Sequence, residues 1–404
     1  MSDQYLYLST LIPDEEFKKM VLVDKSPQMA THIFNWKIYN GIKSSHLTGV
    51  DFHIISTRPI SDYPHNSTKI VYSKKWNTSD GEFHELFFIN FPVIKTITQF
   101  ISCLVASFKW CIYTKNCLKK GVFIDTYQLP YLICGYFISR LFNIPVIGVL
   151  TDPPNMDYKI MWESPIKARF RKINGLFSNY LIKKFTGVIA LTQFLADEFC
   201  PGKKSLIMEA IAEVRKDPLK IERTEKFVIL YSGSLLSVYG IVTFAKAFTQ
   251  VPFTDAELWI YGKGDAEAKI IDLAKVDSRI KYFGFVDNKE IKVSHSKANL
   301  LVNPRPTNLP DSKYSFPSKI LEYMLSGTPT LVTRLPGIPK EYDEYVLFFD
   351  GHDEDSMTKK ICELYHTDRS FLDSFGERAK IFAETKGVQE QGQKIAEFII
   401  KMTK

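Results

Sequence analysis

The chain has 404 residues, of which 45% are hydrophobic and 24% are charged, and its formal net charge is +7. This length exceeds what one hydrophobic core usually organises, so we expect a globular protein of two domains. Because the positive charge is modest and no Lys/Arg-rich arm is present, the composition argues against a nucleic-acid-binding protein and favours an anionic ligand or an anionic membrane surface.

The cysteines and the apolar runs predict a cytoplasmic protein. The six cysteines show no C-x-x-C spacing, so neither a zinc site nor a redox pair is indicated. Residues 1–16 lack the basic region and the apolar run of a secretory signal. The uncharged run from Thr126 to Ser139 is too short for a membrane-spanning helix.

The first half alternates predicted strands and helices. Strands are predicted at 4–8, 50–55, 121–126, 145–150 and 185–191, and helices at 28–42, 129–142 and 193–199. A loop is expected at residues 9–27. One more helix is predicted from an apolar stripe that we expect to face the core, formed by Ile97, Phe100, Ile101, Leu104, Val105 and Phe108. The alternation predicts a parallel sheet with helices on both faces.

Asp152 lies just after the strand predicted at 145–150. Ligands of open parallel sheets bind beyond the carboxyl ends of the strands, so Asp152 is a candidate catalytic residue. An alternative of equal weight is that its carboxylate caps the turn that follows.

The segment from Ser164 to Phe185 is strongly basic. It contains no acid and six cations, which are Lys167, Arg169, Arg171, Lys172, Lys183 and Lys184. Its apolar residues at helical spacing are Ile166, Phe170, Ile173, Phe177 and Leu181. Two interpretations compete: a solvated basic face above a core stripe, or a helix that docks on an anionic membrane leaflet, where each cation contributes about 1 kcal/mol.

The second half follows a charged, proline-containing linker. Strands are predicted at 227–231, 258–261, 280–285 and 300–303. Gly233 and Ser234 follow the first of these strands, and Gly262 and Gly264 follow the second; glycine lets the backbone approach a phosphate. Arg305 follows the fourth and is a candidate cation for a diphosphate, with exposure to solvent as the alternative.

The segment from Tyr314 to Val332 predicts a short helix followed by a buried strand. Ser315 suits a helix cap, Pro317 suits the first turn, and Gly327 suits the helix end. The apolar residues of the helix, which are Ile320, Leu321, Met324 and Leu325, are expected to face a core.

The opposite side of this helix presents Ser318, Lys319 and Glu322. The free N–H groups of a helix start attract phosphate, so we predict a diphosphate over residues 315–318, with Lys319 adding a positive charge. Glu322, one turn further along, can accept hydrogen bonds from ribose hydroxyls. The alternative is an ordinary helix with a Lys319–Glu322 surface pair.

This segment, YSFPSKILEYMLSGTPTLV, resembles the nucleotide-sugar end of retaining family-4 glycosyltransferases, which have the GT-B fold. Glu322 matches the second glutamate of their signature, whereas the first falls on Tyr314, with Asp311 the nearest carboxylate. The FPSK-x-x-EYM form is similar to a subgroup common among bacterial surface-polysaccharide transferases. The two cations that the family usually has after the first strand fall on Ser234 and Tyr239, so Lys319 and Arg305 are the candidate replacements.

The resemblance implies an α/β protein with two Rossmann-like, doubly wound parallel-sheet domains facing a cleft. It implies an acceptor-binding domain at 1–212 on which the C-terminal helix, 388–404, packs back, a linker at 213–225, and a nucleotide-sugar-binding domain at 226–387. The implied donor-binding residues are Gly233, Ser234, Gly262, Gly264, Phe285, Ser315, Phe316, Pro317, Ser318, Lys319 and Glu322. The implied catalytic residues are Asp152, Lys319 and Arg305.

The function implied is retaining hexosyl transfer from a nucleotide-diphosphate sugar to a saccharide or lipid-linked saccharide in surface-polysaccharide or glycoconjugate biosynthesis. The resemblance implies that neither a metal nor a cofactor is needed. Asp353 and Asp355 form an Asp-x-Asp pair like the metal motif of other transferases, but they precede a predicted helix whose N-terminus they complement, so we do not assign them a metal. Since such acceptors are typically lipid diphosphates, docking of residues 164–185 on the inner face of the cell membrane is favoured.

Two other functions stay open. One is a catalytically silent glycosyltransferase-like binding subunit, which the tyrosine at position 314 and the missing cations favour. The other is a sugar-nucleotide epimerase of the same fold, which would need a pair of carboxylates that the sequence does not show.

Overall fold

The protein is described from a computed structural model. The description covers residues 3–24, 27–45, 51–79, 81–115, 117, 119–154, 165–214 and 223–403, with the backbone alone for 165–168 and 170. The chain divides into two compact units, Met1–Met208 with Val388–Lys404, and Glu209–Gly387. Of the predicted linker, residues 215–222 lie outside the described residues.

The first unit is built on a mostly parallel sheet. Its strands are β1 (Gln4–Ser9), β2 (Asp51–Ser56), β3 (Ile70–Val71), β4 (Lys74–Thr78), β5 (Gly81–Glu85), β6 (Phe88–Ile89), β7 (Lys120–Ile124), β8 (Val146–Leu150), β9 (Gly187–Ala190) and β10 (Lys204–Ile207). Its helices up to residue 208 are α1 (Asp14–Val21), α2 (Met29–Ser44), α3 (Ile94–Tyr113), α4 (Leu129–Phe142), α5 (Pro165–Ile182) and α6 (Gln193–Phe199). The eight-stranded sheet has the order β10-β9-β8-β7-β1-β2-β5-β4, and β3 pairs with β6.

The second unit has a six-stranded sheet in the order β13-β12-β11-β14-β15-β16, in which all pairs are parallel. Its strands are β11 (Phe227–Ser232), β12 (Ala256–Tyr261), β13 (Ile280–Gly284), β14 (Leu300–Asn303), β15 (Thr330–Val332) and β16 (Leu347–Phe348). Its helices are α7 (Ile241–Thr249), α8 (Glu267–Val276), α9 (Asn288–Lys297), α10 (Lys319–Met324), α11 (Glu354–His366) and α12 (Arg369–Glu384). The predicted α/β class with Rossmann-like parallel sheets is confirmed.

The last helix, α13 (Val388–Met402), belongs to the first unit and packs against α2. The two backbones approach closely where Gly41 faces Gly392, because a Cβ on Gly392 would lie 1.9 Å from the carbonyl carbon of Gly41. Only glycine allows this approach. Among the described residues, no helix has both the length and the hydropathy that crossing a bilayer requires.

The first unit differs from the prediction at residues 9–27, at the pair β4–β5 and in the orientation of α3. The segment 9–27 was expected to be a loop, but it contains the helix α1, whose acidic first turn complements its N-terminus. The antiparallel pair β4–β5 was not predicted, because its exposed Lys and Asn residues break the apolar alternation of a strand.

The orientation of α3 was predicted wrongly. Its buried residues are Gln99, Cys103, Ser107, Trp110 and Cys111, whereas four residues of the predicted core stripe, Ile97, Ile101, Val105 and Phe108, are exposed. The small side chains of α3 allow α4 to pack closely, and the Sγ atom of Cys134 on α4 lies 3.3 Å from the Ser107 hydroxyl. Periodicity predicts that a helix is amphipathic, but it does not identify the body that covers the apolar face.

Candidate functional site

The carboxyl ends of the strands in the second unit lie along one edge of its sheet, because all the pairs are parallel. Gly233, Gly262 and Phe285 follow β11, β12 and β13, and Arg305 follows β14. This is the edge at which open α/β sheets bind ligands. The structure therefore brings the predicted glycine loops and Arg305 to the same edge.

The helix α10 is shorter than predicted. It begins at Lys319 with Ser318 as its N-cap, and the Ser318 side chain makes no capping hydrogen bond. Ser315 was expected to be the cap, but the residue before a proline is disfavoured in a helix, so Phe316 stops the helix from starting earlier. The Phe316 ring packs instead against Tyr342, with ring centroids 5.2 Å apart. Gly327, at a φ of 74°, follows the helix end as predicted.

Lys319 and Glu322 lie on the side of α10 that faces away from the core. The Lys319 Nζ atom is 2.8 Å from Oε2 of Glu322, and both side chains are about one third exposed, at 35% and 27%. The surface ion pair that was the alternative interpretation is therefore present. The second oxygen of Glu322, Oε1, is buried and accepts no hydrogen bond from the described residues. It is an available acceptor at the edge of the site.

Tyr323, which the sequence reasoning missed, joins α10 to the end of β11. Its hydroxyl donates to the carbonyl oxygen of Ser232 at 2.8 Å and accepts from the Ser232 N–H at 2.9 Å. The Ser232 hydroxyl also lies 2.8 Å from Nε2 of His295 on α9. Burial lowers the pKa of His295 to about 3, so the imidazole is neutral. The available signal was the tyrosine beside Glu322 in the EYM motif.

The predicted glycine loops pack against each other. A Cβ on Gly262 would lie 1.8 Å from the Gly233 carbonyl oxygen, and a Cβ on Gly264 would lie 2.2 Å from the Leu235 carbonyl oxygen. The Leu235 N–H donates to the Lys263 carbonyl oxygen at 2.9 Å, and the Gly262 N–H donates to the Gly284 carbonyl oxygen at 2.8 Å. Packing between the loops explains these glycines, and a contact with phosphate stays a prediction.

Arg305 is mostly buried, although exposure was the favoured alternative for it. Its Nη2 atom lies 2.6 Å from Oδ2 of Asp311, and its guanidinium stacks over the Tyr239 ring at 4.8 Å. Asp311, the carboxylate nearest to the first signature position, therefore balances the charge of Arg305. Arg305 can supply only part of that charge to a ligand.

Three predicted donor residues, Ser234, Phe285 and Ser318, are exposed. Phe285 is 73% exposed just beyond β13, and its neighbour Gly284 has a φ of 71°, a conformation that favours glycine. The side chain of Ser234 is also exposed, while its carbonyl oxygen accepts from the Tyr231 hydroxyl at 2.8 Å.

In the first unit, Asp152 follows β8 as predicted and is exposed. A second strand-end carboxylate, Asp125 after β7, was missed. The hydroxyls of Tyr7 and Ser9 both donate to its Oδ2 at 2.7 Å, and its Oδ1 is buried without a hydrogen bond from the described residues. Burial raises the pKa of Asp125 to about 7.

The helix α5 contains most of the predicted basic segment. Ser164 lies outside the described residues, as do the side chains of Ile166, Lys167 and Phe170. Leu181 is buried, but Ile173 and Phe177 are exposed, so the core-stripe interpretation does not hold at these two positions.

Asp353 is the N-cap of α11, and its carboxylate accepts from the Ser356 N–H at 2.9 Å. Within the described part of the chain, no three His, Cys, Asp or Glu side chains gather as metal ligands would.

Comparison with known proteins agrees with this architecture. Residues 226–367 match the family model described as glycosyl transferases group 1. Sucrose-phosphate synthase from Thermosynechococcus elongatus superposes with a TM-score of 0.64 at 13% identity, covering 99% of each chain. Anabaena HepE in complex with UDP-glucose superposes with a TM-score of 0.56 at 14% identity, covering 98% of this chain and 99% of HepE. The chain has the GT-B fold.

A curated relative overlaps the GT-B chain only in part. It is the N-acetyl-alpha-D-glucosaminyl L-malate synthase of Bacillus anthracis, 26% identical over 234 residues. The alignment covers 53% of this chain and 56% of that protein, so the match spans little more than half of each.

Proposed function

We propose that the chain is a glycosyltransferase that moves a hexose from a nucleotide-diphosphate sugar to a saccharide or lipid-linked saccharide. The match of residues 226–367 to glycosyl transferases group 1 supports this proposal, as does the GT-B fold that the chain shares with HepE, a protein solved with UDP-glucose. Surface-polysaccharide or glycoconjugate biosynthesis is the role that the FPSK-x-x-EYM motif implies.

The observation on which the proposal depends most is the Oε1 atom of Glu322 beside Lys319, which accepts no hydrogen bond from the part of the chain that the structure describes. A buried carboxylate oxygen normally has a hydrogen-bond partner, and a ribose hydroxyl would supply one. Lys319 would then turn from Glu322 to the diphosphate. The backbone N–H groups at the start of α10, which the Ser318 side chain leaves uncapped, would add further donors.

Catalysis in this proposal is electrostatic. Lys319 and the backbone donors stabilise the departing diphosphate, which is usually the largest contribution to the rate. Arg305 contributes less, because Asp311 balances it. The leaving phosphate helps to deprotonate the acceptor on the same face, so the product retains the anomeric configuration and no metal is required. Asp152 is proposed to contact the acceptor.

Peripheral contact with the inner face of the cell membrane through residues 164–185 belongs to the same proposal. The exposure of Ile173 and Phe177 beside the exposed cations Arg169 and Lys172 supports docking over the solvated-face interpretation. A lipid-linked acceptor would be presented at this surface.

The direct test is turnover of radiolabelled UDP-, GDP- and dTDP-hexoses with saccharide and lipid-diphosphate acceptors. We expect one donor to be consumed, a product with the donor's anomeric configuration by NMR, and the same rate in EDTA. An inverted product would refute retention, and loss of activity in EDTA that added Mg²⁺ restores would refute metal independence.

A silent binding subunit is the second candidate, because the cations Arg305 and Lys319 are both balanced by carboxylates of the chain itself. Such a subunit would bind no nucleoside diphosphate. A rise in melting temperature on addition of UDP, GDP or dTDP would exclude a silent subunit.

A further inference from the structure

The helix α3 presents an apolar stripe to solvent. Ile97, Ile101, Val105 and Phe108 are 52%, 53%, 49% and 42% exposed, and they follow one another at helical spacing. A stripe of this kind normally faces a core. Large contiguous apolar patches are rare on soluble monomers and mark sites of interaction.

The neighbouring helix α4 extends the stripe. Phe137 and Leu141, one turn apart, are 53% and 67% exposed. A groove of about 670 Å³ runs between the two helices, lined mainly by Leu104, Val105 and Phe108 on α3 and by Phe137 and Leu141 on α4. We call the residues Ile97, Ile101, Val105, Phe108, Phe137 and Leu141 the α3–α4 face.

The helices that form and flank the α3–α4 face carry charges of one sign. The helices α3, α4 and α5 contain no Asp or Glu. Lys109 and Arg140 line the groove, and neither forms an ion pair with a described residue. The helix α5, which contacts α4, adds the exposed Arg169 and Lys172. Asp62 is paired with Lys95 at the start of α3. An apolar surface on helices that carry cations and no acid complements an anionic lipid surface.

We propose that the α3–α4 face docks on an anionic lipid bilayer. Its apolar side chains enter the boundary between headgroups and acyl chains, and Lys109 and Arg140 contact lipid phosphates. A second copy of the chain fits less well, because an interface between two such faces would bring together cations of both copies with no acid of α3, α4 or α5 to balance them. The α3–α4 face is a membrane-contact surface in addition to α5, and docking through it does not require that the chain transfers a sugar.

The test is flotation of the full chain with vesicles of phosphatidylcholine alone or mixed with phosphatidylglycerol, at low and high salt. The variant Ile101→Gln/Val105→Gln/Leu141→Gln removes apolar contacts at exposed helical positions. The matched control, Val276→Gln/Phe371→Gln/Ile381→Gln, changes residues of the second unit that are 84%, 51% and 63% exposed. The variant Lys109→Glu/Arg140→Glu tests the charges.

We expect the wild type and the control to float with the anionic vesicles, and the triple variant and the charge variant to partition at least about tenfold more weakly. A wild type that ignores anionic vesicles at low salt would overturn the proposal, as would a triple variant that floats like the control. A wild-type dimer that the triple variant abolishes in light scattering would point to self-association instead. If the triple variant fails to fold, the charge variant decides.

Nucleotide binding separates this inference from the proposed function. The triple variant should keep the wild-type response of the melting temperature to UDP, GDP and dTDP, because the changed residues lie outside the second unit. A wild type that floats but binds no nucleotide would keep the docking proposal and reject the donor site.

Discussion

Replacing Tyr323 with phenylalanine removes one hydroxyl from the junction between α10 and β11. The ring is fully buried and its packing is conserved in the variant, so the change isolates the hydrogen bonds with Ser232. Ser232 is 3% exposed, and its N–H and carbonyl groups would lose these partners. Each of the two buried groups left unsatisfied costs about 1–3 kcal/mol, so we expect the free energy of unfolding to fall by about 2–6 kcal/mol.

Urea denaturation monitored by circular dichroism measures this loss. Tyr365→Phe is the matched control, because its hydroxyl makes an exposed hydrogen bond to Asp255, and its loss should cost less than about 1 kcal/mol. Tyr323→Phe should also weaken nucleoside diphosphate binding, since the loop at Gly233 continues directly from Ser232. Equal denaturation midpoints for the two variants would refute the claim that Tyr323 fixes this junction.

Three further stability predictions follow from buried groups and close backbone contacts. Lys386→Met should lower the free energy of unfolding, measured by urea denaturation, by about 3–5 kcal/mol. Lys386 and Glu209 lie 2.8 Å apart and are only 7% and 3% exposed, so the carboxylate would stay buried without its cation. A loss below about 1 kcal/mol would contradict this prediction. Asp125, whose folded pKa is raised to about 7, holds a proton that the unfolded chain releases, so its contribution to stability falls by about 1.4 kcal/mol per pH unit from about pH 4 to pH 7. Asp125→Asn should therefore match the wild type near pH 4 and melt higher at pH 7, and parallel melting curves across this range would refute the shift. Gly262→Ala should lower the free energy of unfolding by about 2–4 kcal/mol, because the φ of Gly262 is 135° and the new Cβ would meet a backbone oxygen. In the control Gly202→Ala the new Cβ would have no atom within 4 Å, so the loss should be about 1 kcal/mol or less. Equal losses for the two variants would contradict this prediction.

The sequence predicted most of the parallel strands, because strands buried on both faces are continuous apolar runs. β14 and β15 have the predicted bounds, and α6 begins after Thr192, whose hydroxyl accepts from the Leu195 N–H at 3.3 Å. The ends of these strands were also informative, because polar residues that follow them, such as Asp152, lie at the edge of the sheet where ligands bind.

Contacts between distant segments could not be predicted from local patterns. The exposure of Ile101 on α3 depends on how closely α4 packs against Cys103 and Ser107. Similarly, the role of Tyr323 depends on Ser232, which lies 91 residues earlier in the chain. The burial of Arg305 depends on a loop that returns Asp311 to it, and neither periodicity nor spacing contains that information.

At the candidate site, the sequence identified Lys319 and Glu322 as the polar side of a short helix, and the structure gives them the geometry of an ion pair. It overestimated the length of that helix, because Pro317 suits a first turn but also constrains Phe316 before it. The start of α10 is therefore closer to Lys319 than the cap prediction placed it.

Titration calorimetry of nucleoside diphosphates tests the central claim, that Glu322 and Lys319 bind the donor nucleotide. Glu322→Gln is compared with Glu363→Gln, which disrupts a Lys–Glu pair of the same spacing on α11, where Lys360 and Glu363 lie 2.9 Å apart. We predict that the wild type binds UDP, GDP or dTDP, that Glu322→Gln weakens this binding at least about tenfold with an unchanged melting temperature, and that Glu363→Gln has no effect. Equal affinities for the two variants, or a wild type that binds none of the three nucleotides, would contradict the account.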